Sequence, residues 1–541
     1  MKRNGMCPIC YLKRIFIKNK PTSVEPQCAD YENGVALTPP MGWSSWNTFR
    51  NRINEDLIYE MAVALKEKGL DKVGYKYINL DDNWQSSERD ENGDLVGDRE
   101  TFPHGIPALV QKVNALGLKL GAYTSNGTLT CEDLPASLGR ERQDAYTLAK
   151  WGIEYFNYDF CHNIALPRYA PLVYSISVSK FDGKSKEYLV QNALLDGLAR
   201  KMTDKKLPHG CYVSGLDKNL GSLTFENVEV AEDGDYVLTV NIKKHGQYEK
   251  YLIAKVNGDK EYEIHFPSQK PYNLTARFQT TVALKAGKNT IKLFNPVTSG
   301  ADSEMYEYRR MGAALKEGAE RVAKERGEAV KPILFSICEW GFGKPFHWGA
   351  KAGNQWRTTP DIRPWWFWIK MIYGHNVKLY KYASKSHYND PDMLEVGNGK
   401  LTYDQNVSHF SLWCMMDSPL ILGNDLRTMP EQVPNIISNK NFIAINQDPL
   451  CKQAKRVKKG RVDVLAKPLA DGSVAICFFN KSSHSANASY DLNKLLDDKY
   501  VAMTKKNKYS LTEQWSGETL QTEGKVKVAL KKHQTKVYIV K

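Results

Sequence analysis

The sequence predicts an α/β chain built on a (β/α)8 (TIM) barrel, with an antiparallel β-sandwich inserted after the fourth strand and a C-terminal antiparallel β-domain. Three observations carry this. Short apolar runs alternate with amphipathic stretches from about residue 35. Acidic residues gather at the C-terminal ends of those runs, the face on which a TIM barrel places its active site. Two other stretches switch to a period of two, the signature of half-buried strands.

The runs read in order as eight candidate strands: MGWSSW (41–46), YINLDD (77–82), LKLGAYT (118–124), YFNYDF (155–160), ILFSICEW (333–340), QWRTTPDI (355–362), HYNDPDML (387–394) and PLILGND (419–425). Between the first two lies a helix signal, with Asn54 as N-cap, Leu57, Ile58, Met61 and Leu65 on one face, and Gly69 as stop. Asp81, Asp82, Tyr123, Asp159, Glu339, Asp361 and Asp392 all fall at or near strand ends. One such carboxylate is commonplace, since Asp caps helices. Six, spread over five strands, exceed what capping explains.

From about 165 to 303 the rhythm changes. SLTFENVEV, YVLTVNIKK, TVALKAG and TIKLFN alternate with period two, and Asp233-Gly234 and Asn257-Gly258 supply turns. EMYEYRRMGAALKEGAERVAKE then reads as an amphipathic helix, and after about residue 450 short alternating strands return. The expected division is a leader (1–34), the first part of the barrel (35–164), the inserted β-sandwich (165–303), the second part of the barrel (304–450) and the C-terminal β-domain (451–541).

Composition narrows the function. The chain has 541 residues, 42% of them apolar, and carries 12 Trp and 29 Tyr. Aromatic rings fill cores, and they also stack on the apolar faces of sugars. The net charge of +14 comes from lysines interleaved with acids, with no basic stripe and no nucleic-acid motif, so it reads as a solvated surface. No run of 18 apolar residues is present to span a membrane. The basic first 20 residues lack the apolar segment of a signal peptide, and Cys7 and Cys10 form a lone CxxC without the two further ligands that zinc needs. Ten cysteines in a chain of this length do not make a disulfide scaffold.

Glycoside hydrolysis needs two carboxyl groups flanking the scissile bond. Asp159, ending an otherwise apolar strand between Tyr158 and Phe160, is the candidate nucleophile; the alternative is a hydrogen-bonded core Asp. Asp361 is the candidate acid/base. It follows Arg357 by four residues, and the two meet if the turn between them is helical, with Thr359 as N-cap and Pro360 as first helical residue. The plain alternative is a structural Arg–Asp pair.

These residues sit in longer motifs. LTPPMGWSSWNTF (37–49) resembles the N-terminal signature of glycoside hydrolase family 27, the α-galactosidase family. YINLDDNW, YDFC (158–161), CEWGFGKPFHWGAKAGNQWRTTPDI (338–362), NDPDML and AINQDPL (444–450) resemble its later blocks in order. The resemblance implies a retaining, exo-acting hydrolase of terminal α-linked galactose, with Asp159 as nucleophile, Asp361 as acid/base and Arg357 beside it as a sugar contact. It implies that Asp81 and Asp82 bind the O4 and O6 hydroxyls, that Trp46, Tyr123, Asp392 and Met393 line the pocket, and that Cys338 and Trp340 face O2. It also implies a Cys131–Cys161 disulfide, which favours an oxidising compartment, periplasmic or extracellular.

Two departures stand out. Asn157 occupies the place of a family Lys that donates to the sugar, and, two residues before Asp159, it is expected to enter the pocket. Asn51 and Asn83 stand where the family has a second cysteine pair. The insert resembles carbohydrate-binding modules of the family 6 and 35 type. No cofactor or metal is required; a calcium ion in the insert is conceivable but unsupported by the sequence. The partner implied is a carbohydrate. The rival readings are other activities of the family (β-L-arabinopyranosidase, α-N-acetylgalactosaminidase, isomalto-dextranase) and a non-catalytic carbohydrate-binding protein.

Overall fold

The computed structural model describes residues 30–181, 183–243, 248–267 and 275–541. The Cys7–Cys10 pair and the basic leader lie outside them. The chain divides into two compact units. One holds the barrel and the C-terminal domain, and the other is essentially the insert, residues 165–304.

All eight expected strands form one parallel sheet. They are Met41–Ser44, Tyr77–Asn79, Lys119–Ser125, Tyr155–Asp159, Leu334–Ile337, Gln355–Arg357, Tyr388–Asp390 and Leu420–Leu422. The first seven strands pair each with its neighbour in sequence order, and the first also pairs with the eighth. An isolated parallel bridge between Leu394 and Leu422 joins the segment after the seventh strand to the eighth. The strands are short because only their central residues face both the barrel interior and the surrounding helices, and such doubly covered strands read as near-continuous apolar runs.

The first helix, Glu55–Glu67, starts as expected. Asn54 accepts a hydrogen bond from the Leu57 N–H, and Ile58, Met61, Ala62 and Leu65 are buried. Gly69 follows with φ of 65°, a left-handed conformation that costs glycine little.

The (β/α)8 pattern has one gap. Between the fifth and sixth strands stand only two short 3-10 turns, Pro345–His347 and Gly349–Lys351. The backbone there lies directly against an indole, since a Cβ on Gly349 would come within 2.5 Å of the Trp356 ring. A turn so closely applied to the sheet leaves no room for a full helical cylinder.

Two expectations need correction. The leader does not run to residue 34. Tyr31 is buried, its N–H donates to the Ala350 carbonyl, and Asn33 donates to the Ile333 carbonyl. A buried ring and paired backbone groups make these residues part of the barrel. The helix expected to start at Thr359 and Pro360 starts instead at Trp366, with Trp365 as N-cap. Pro364 disfavours the α conformation at Arg363, so the chain crosses 358–365 without a helical turn.

The insert is a β-sandwich of a five-stranded and a six-stranded antiparallel sheet. Between them pack Val173, Ile176, Val240, Leu252, Ile291 and Leu293, all fully buried. Asn257-Gly258 turns a true hairpin between Lys250–Val256 and Lys260–Phe266, both residues at positive φ. Asp233-Gly234 instead joins strands of opposite sheets, Gly221–Val230 and Gly234–Lys243.

The C-terminal domain pairs a six-stranded sheet with the two-stranded ribbon of Ala486–Asp491 and Lys525–Leu530 over an apolar core that includes Val464, Ile476, Phe478 and Leu511. Among the described residues no helix is long and apolar enough to cross a membrane.

Candidate active site

The barrel opens into a cavity of about 610 Å³, within the range that takes a small organic ligand. Strand geometry explains its lining. Side chains alternate along a strand, so Asn157 and Asp159 share one face and Tyr158 takes the other. Asn157 pairs in register with Tyr123 and Ser336, and Asp159 with Ser125. Asn157 and Asp159 both line the cavity.

The residues assigned catalytic or sugar-binding roles from the sequence all line this space: Trp46, Asp81, Asp82, Tyr123, Asn157, Asp159, Cys338, Trp340, Arg357, Asp361, Asp392 and Met393, with Cys131 and Cys161 at its wall. Glu339 does not. The chain turns sharply at Trp340 and Gly341, both at positive φ, and the Glu339 carboxylate turns back to accept from the Gly343 N–H at 2.6 Å. Cys338, one residue earlier, points into the cavity, which is the same alternation at work.

Asp159 is held by two donors. The Tyr123 hydroxyl donates to Oδ2 at 2.9 Å and the Phe160 N–H to Oδ1 at 2.9 Å. Burial and the charge on Asp361 together push its carboxyl up to about 7, against the lowering effect of those donors. Asp361 is the more open group, its side chain 60% exposed. Arg357 lies between three carbonyl and carboxylate groups: Nη2 meets Asp361 at 3.0 Å, Asp392 at 2.9 Å and the Thr359 carbonyl at 3.2 Å. The expected Arg357–Asp361 pair therefore forms, across a bend rather than a helical turn.

Asp81 and Asp82 stand side by side just past the end of the second strand. Asp82 is anchored by the N–H groups of Asn83 at 2.8 Å and Glu132 at 3.0 Å, and burial raises its carboxyl to about 6. Asp81 is raised further, by burial and then by the charges of Asp82, Asp159 and Asp361. Asp392 accepts from the N–H groups of Ile362 and Met393, and so ties the segment carrying Asp361 to the seventh strand. The cavity thus concentrates negative charge, and hydroxyl groups are the donors such carboxylates accept from.

Cys131 and Cys161 form a disulfide, with Cα atoms 5.1 Å apart, inside the usual span. Their sulfurs lie 3.4 and 3.5 Å from Asp159 Oδ2. Among the described residues this trio is also the cluster that best approaches metal-ligand spacing, but sulfurs joined to each other are not thiolate ligands.

The sequence reading missed Arg363, Trp365, Trp368 and Asp390, which also line the cavity. Burial raises Asp390 to about 6, and Gln355 and the Asp392 N–H donate to it. The available signal was the WWFW run (365–368) directly after the RTTPDI block.

Comparison with known proteins identifies the family of the fold. A family profile described as alpha galactosidase A matches residues 38–187 and 307–448, more than half of the chain. The chain belongs to the α-galactosidase family, glycoside hydrolase family 27. A second profile, for the α-galactosidase C-terminal β-sandwich domain, matches residues 459–540. Alpha-galactosidase 2 of Arabidopsis thaliana is 32% identical over 84% of this chain and 78% of its own. Alpha-galactosidase A of Cellvibrio japonicus is 30% identical over 94% and 93%. The crystal structure of α-galactosidase I from Mortierella vinacea superposes with a TM-score of 0.64 at 24% identity, covering 94% of this chain and 98% of that one. The family fold is thus shared across barrel and C-terminal domain, while residues 188–306, most of the insert, fall outside both profile matches.

Proposed function

We propose that the chain is a retaining, exo-acting α-galactosidase that releases terminal α-linked galactose from oligo- or polysaccharides, with Asp159 as nucleophile and Asp361 as acid/base. The observation that carries this is one cavity holding a buried, donor-oriented carboxylate and an open one whose charge acts on it. Family membership and relatives named as α-galactosidases support the substrate.

The positions of the two carboxylates suit their roles. Asp159 sits where the anomeric carbon enters, with both oxygens aimed by Tyr123 and Phe160. It attacks that carbon, the glycosidic C–O bond breaks, and the Asp361 proton passes to the leaving oxygen. Asp361 faces the open side, where the leaving group departs and water arrives. Water then gives its proton to Asp361 and attacks the same carbon, and the ester to Asp159 breaks. Asp81 and Asp82 accept hydrogen bonds from O4 and O6 of the galactose, Arg357 donates to it, and Cys338 and Trp340 face O2. The chemistry uses no cofactor. The disulfide beside the nucleophile fits an oxidising compartment, so the proposal includes export to the periplasm or the exterior.

Stereochemistry tests the assignment. Asp361→Gly, given an activated aryl α-galactoside and azide, should yield α-galactosyl azide, because two displacements retain configuration. Asp159→Gly should yield the β-azide through a single displacement. Exchange of the two products would reverse the roles, and absence of both would refute the pair.

The pH profile follows from the same cavity. The proton that Asp159 binds with a pKa of about 7 while Asp361 is charged is the last one on the pair. Once it leaves, nothing remains to protonate the leaving oxygen. Activity on unactivated galactosides should therefore fall as pH rises through about 7. A kcat/KM still climbing beyond pH 8 would contradict this.

A further inference from the structure

We infer that Trp365, with Arg363 and Trp368, forms a leaving-group subsite that takes a second pyranose ring on the Asp361 side of the cavity. The inference rests on the reading of Asp361 as acid/base, since the group that protonates the leaving oxygen must stand beside the leaving sugar.

The four residues 365–368 are all large aromatics, and the start of the helix Trp366–Asn376 sends them in different directions. Trp366 packs against the C-terminal domain, its ring 5.8 Å from Phe479 and 5.2 Å from His533. Trp368 lines the cavity, and its indole N–H donates to the Asp361 carbonyl oxygen at 2.6 Å. Trp365 also lines the cavity, yet it is 61% exposed. Packing therefore accounts for Trp366 and the Asp361 hydrogen bond for Trp368, while nothing of the kind accounts for Trp365.

An indole held at the mouth of a sugar-sized pocket presents a flat apolar face with a polar edge. The C–H face of a pyranose stacks on such a surface while its hydroxyls stay wet. Trp365 is the N-cap of a helix, so its backbone is fixed before any ligand arrives, and a two-torsion side chain loses little freedom on binding. The Arg363 guanidinium lies 5.9 Å from the Trp365 ring, which steadies the indole and adds donors for ring hydroxyls. The cavity, about 610 Å³, is larger than a single hexopyranose fills. The leaving group it fits is a second sugar rather than a small alcohol.

The test compares two substrates of the same glycone. α-Galactosyl fluoride has no leaving sugar, whereas an α-galactosyl disaccharide such as melibiose has one. Trp365→Ala should lower kcat/KM for the disaccharide about tenfold while leaving the fluoride within about twofold. Trp365→Phe, which keeps a flat ring, should restore most of the loss. Equal losses on both substrates, or no loss on either, would overturn the subsite. Failure of the unaltered enzyme to hydrolyse the fluoride would instead overturn the galactosidase reading itself, and the subsite with it.

Discussion

Asp159→Asn should reduce turnover by a factor on the order of 10⁴ or more, the scale of removing a nucleophile, while making the protein harder to unfold at alkaline pH. The amide keeps the shape of the carboxylate, and the Tyr123 hydroxyl can rotate to accept from it, so the local hydrogen bonds survive. The stability gain has an electrostatic origin. A carboxyl with a pKa near 3.9 in the unfolded chain is held at about 7 in the folded one by burial and the charge on Asp361. Between those values the folded state binds a proton that the unfolded state has released, so stability falls as pH rises. Above about 7 the whole cost is present, no more than about 4 kcal/mol. Below the unfolded value both states are protonated and it vanishes. Melting curves should show Tm raised by a few degrees at pH 8, with the gain gone near pH 4. An equal gain at both pH values would refute the electrostatic account.

The second large effect is expected far from the active site. Lys467, on a strand of the C-terminal domain, donates to Asp417 Oδ1 at 2.5 Å and to the Lys452 carbonyl at 2.9 Å, and neither ionic side chain has any exposed surface. Burial raises Asp417 to about 6, against the lowering effect of Lys467. Lys467→Met would strand that carboxylate without its cation, at a cost of about 3–5 kcal/mol. Because Asp417 can take up a proton, the loss should be smaller at pH 5 than at pH 8. Adding Asp417→Asn should recover much of it, since the unpaired charge and not the missing contact is what destabilises. Urea midpoints for the single and double variants decide this. A double variant no better than Lys467→Met would show that packing, not charge, links the two elements.

Much of the barrel could be read locally. Each strand announced itself as a short apolar run, and the helix after Asn54 by its cap and its buried face. The acidic strand ends were legible because alternation is a property of the backbone: once Tyr155–Asp159 is a strand, Asn157 and Asp159 must share a face. The same logic had no power beyond the strands. Glu339 and Cys338 are neighbours in sequence, and only the turn at Trp340 and Gly341 shows that one serves the backbone and the other the cavity. The Asp233-Gly234 turn looked like a hairpin signal, yet its strands belong to different sheets, because pairing is settled by partners far along the chain.

The sequence by itself determined the eight parallel strands, the position of the inserted sandwich and the two candidate catalytic carboxylates at the cavity, since these rest on periodicity and on motifs whose residues are close together. The tertiary structure alone decided how the segment 358–365 crosses the mouth of the barrel. Pro364 disfavours a helix there, Asp392 just past the seventh strand accepts from the Ile362 N–H, and Arg357 reaches both Asp392 and Asp361. That crossing exposes Asp361 and brings Trp365 to the cavity while Trp366 goes to the C-terminal domain. A run of four aromatics carries no local signal of which ring goes where. That is fixed by contacts with residues more than a hundred positions away, such as Phe479, which no local pattern encodes.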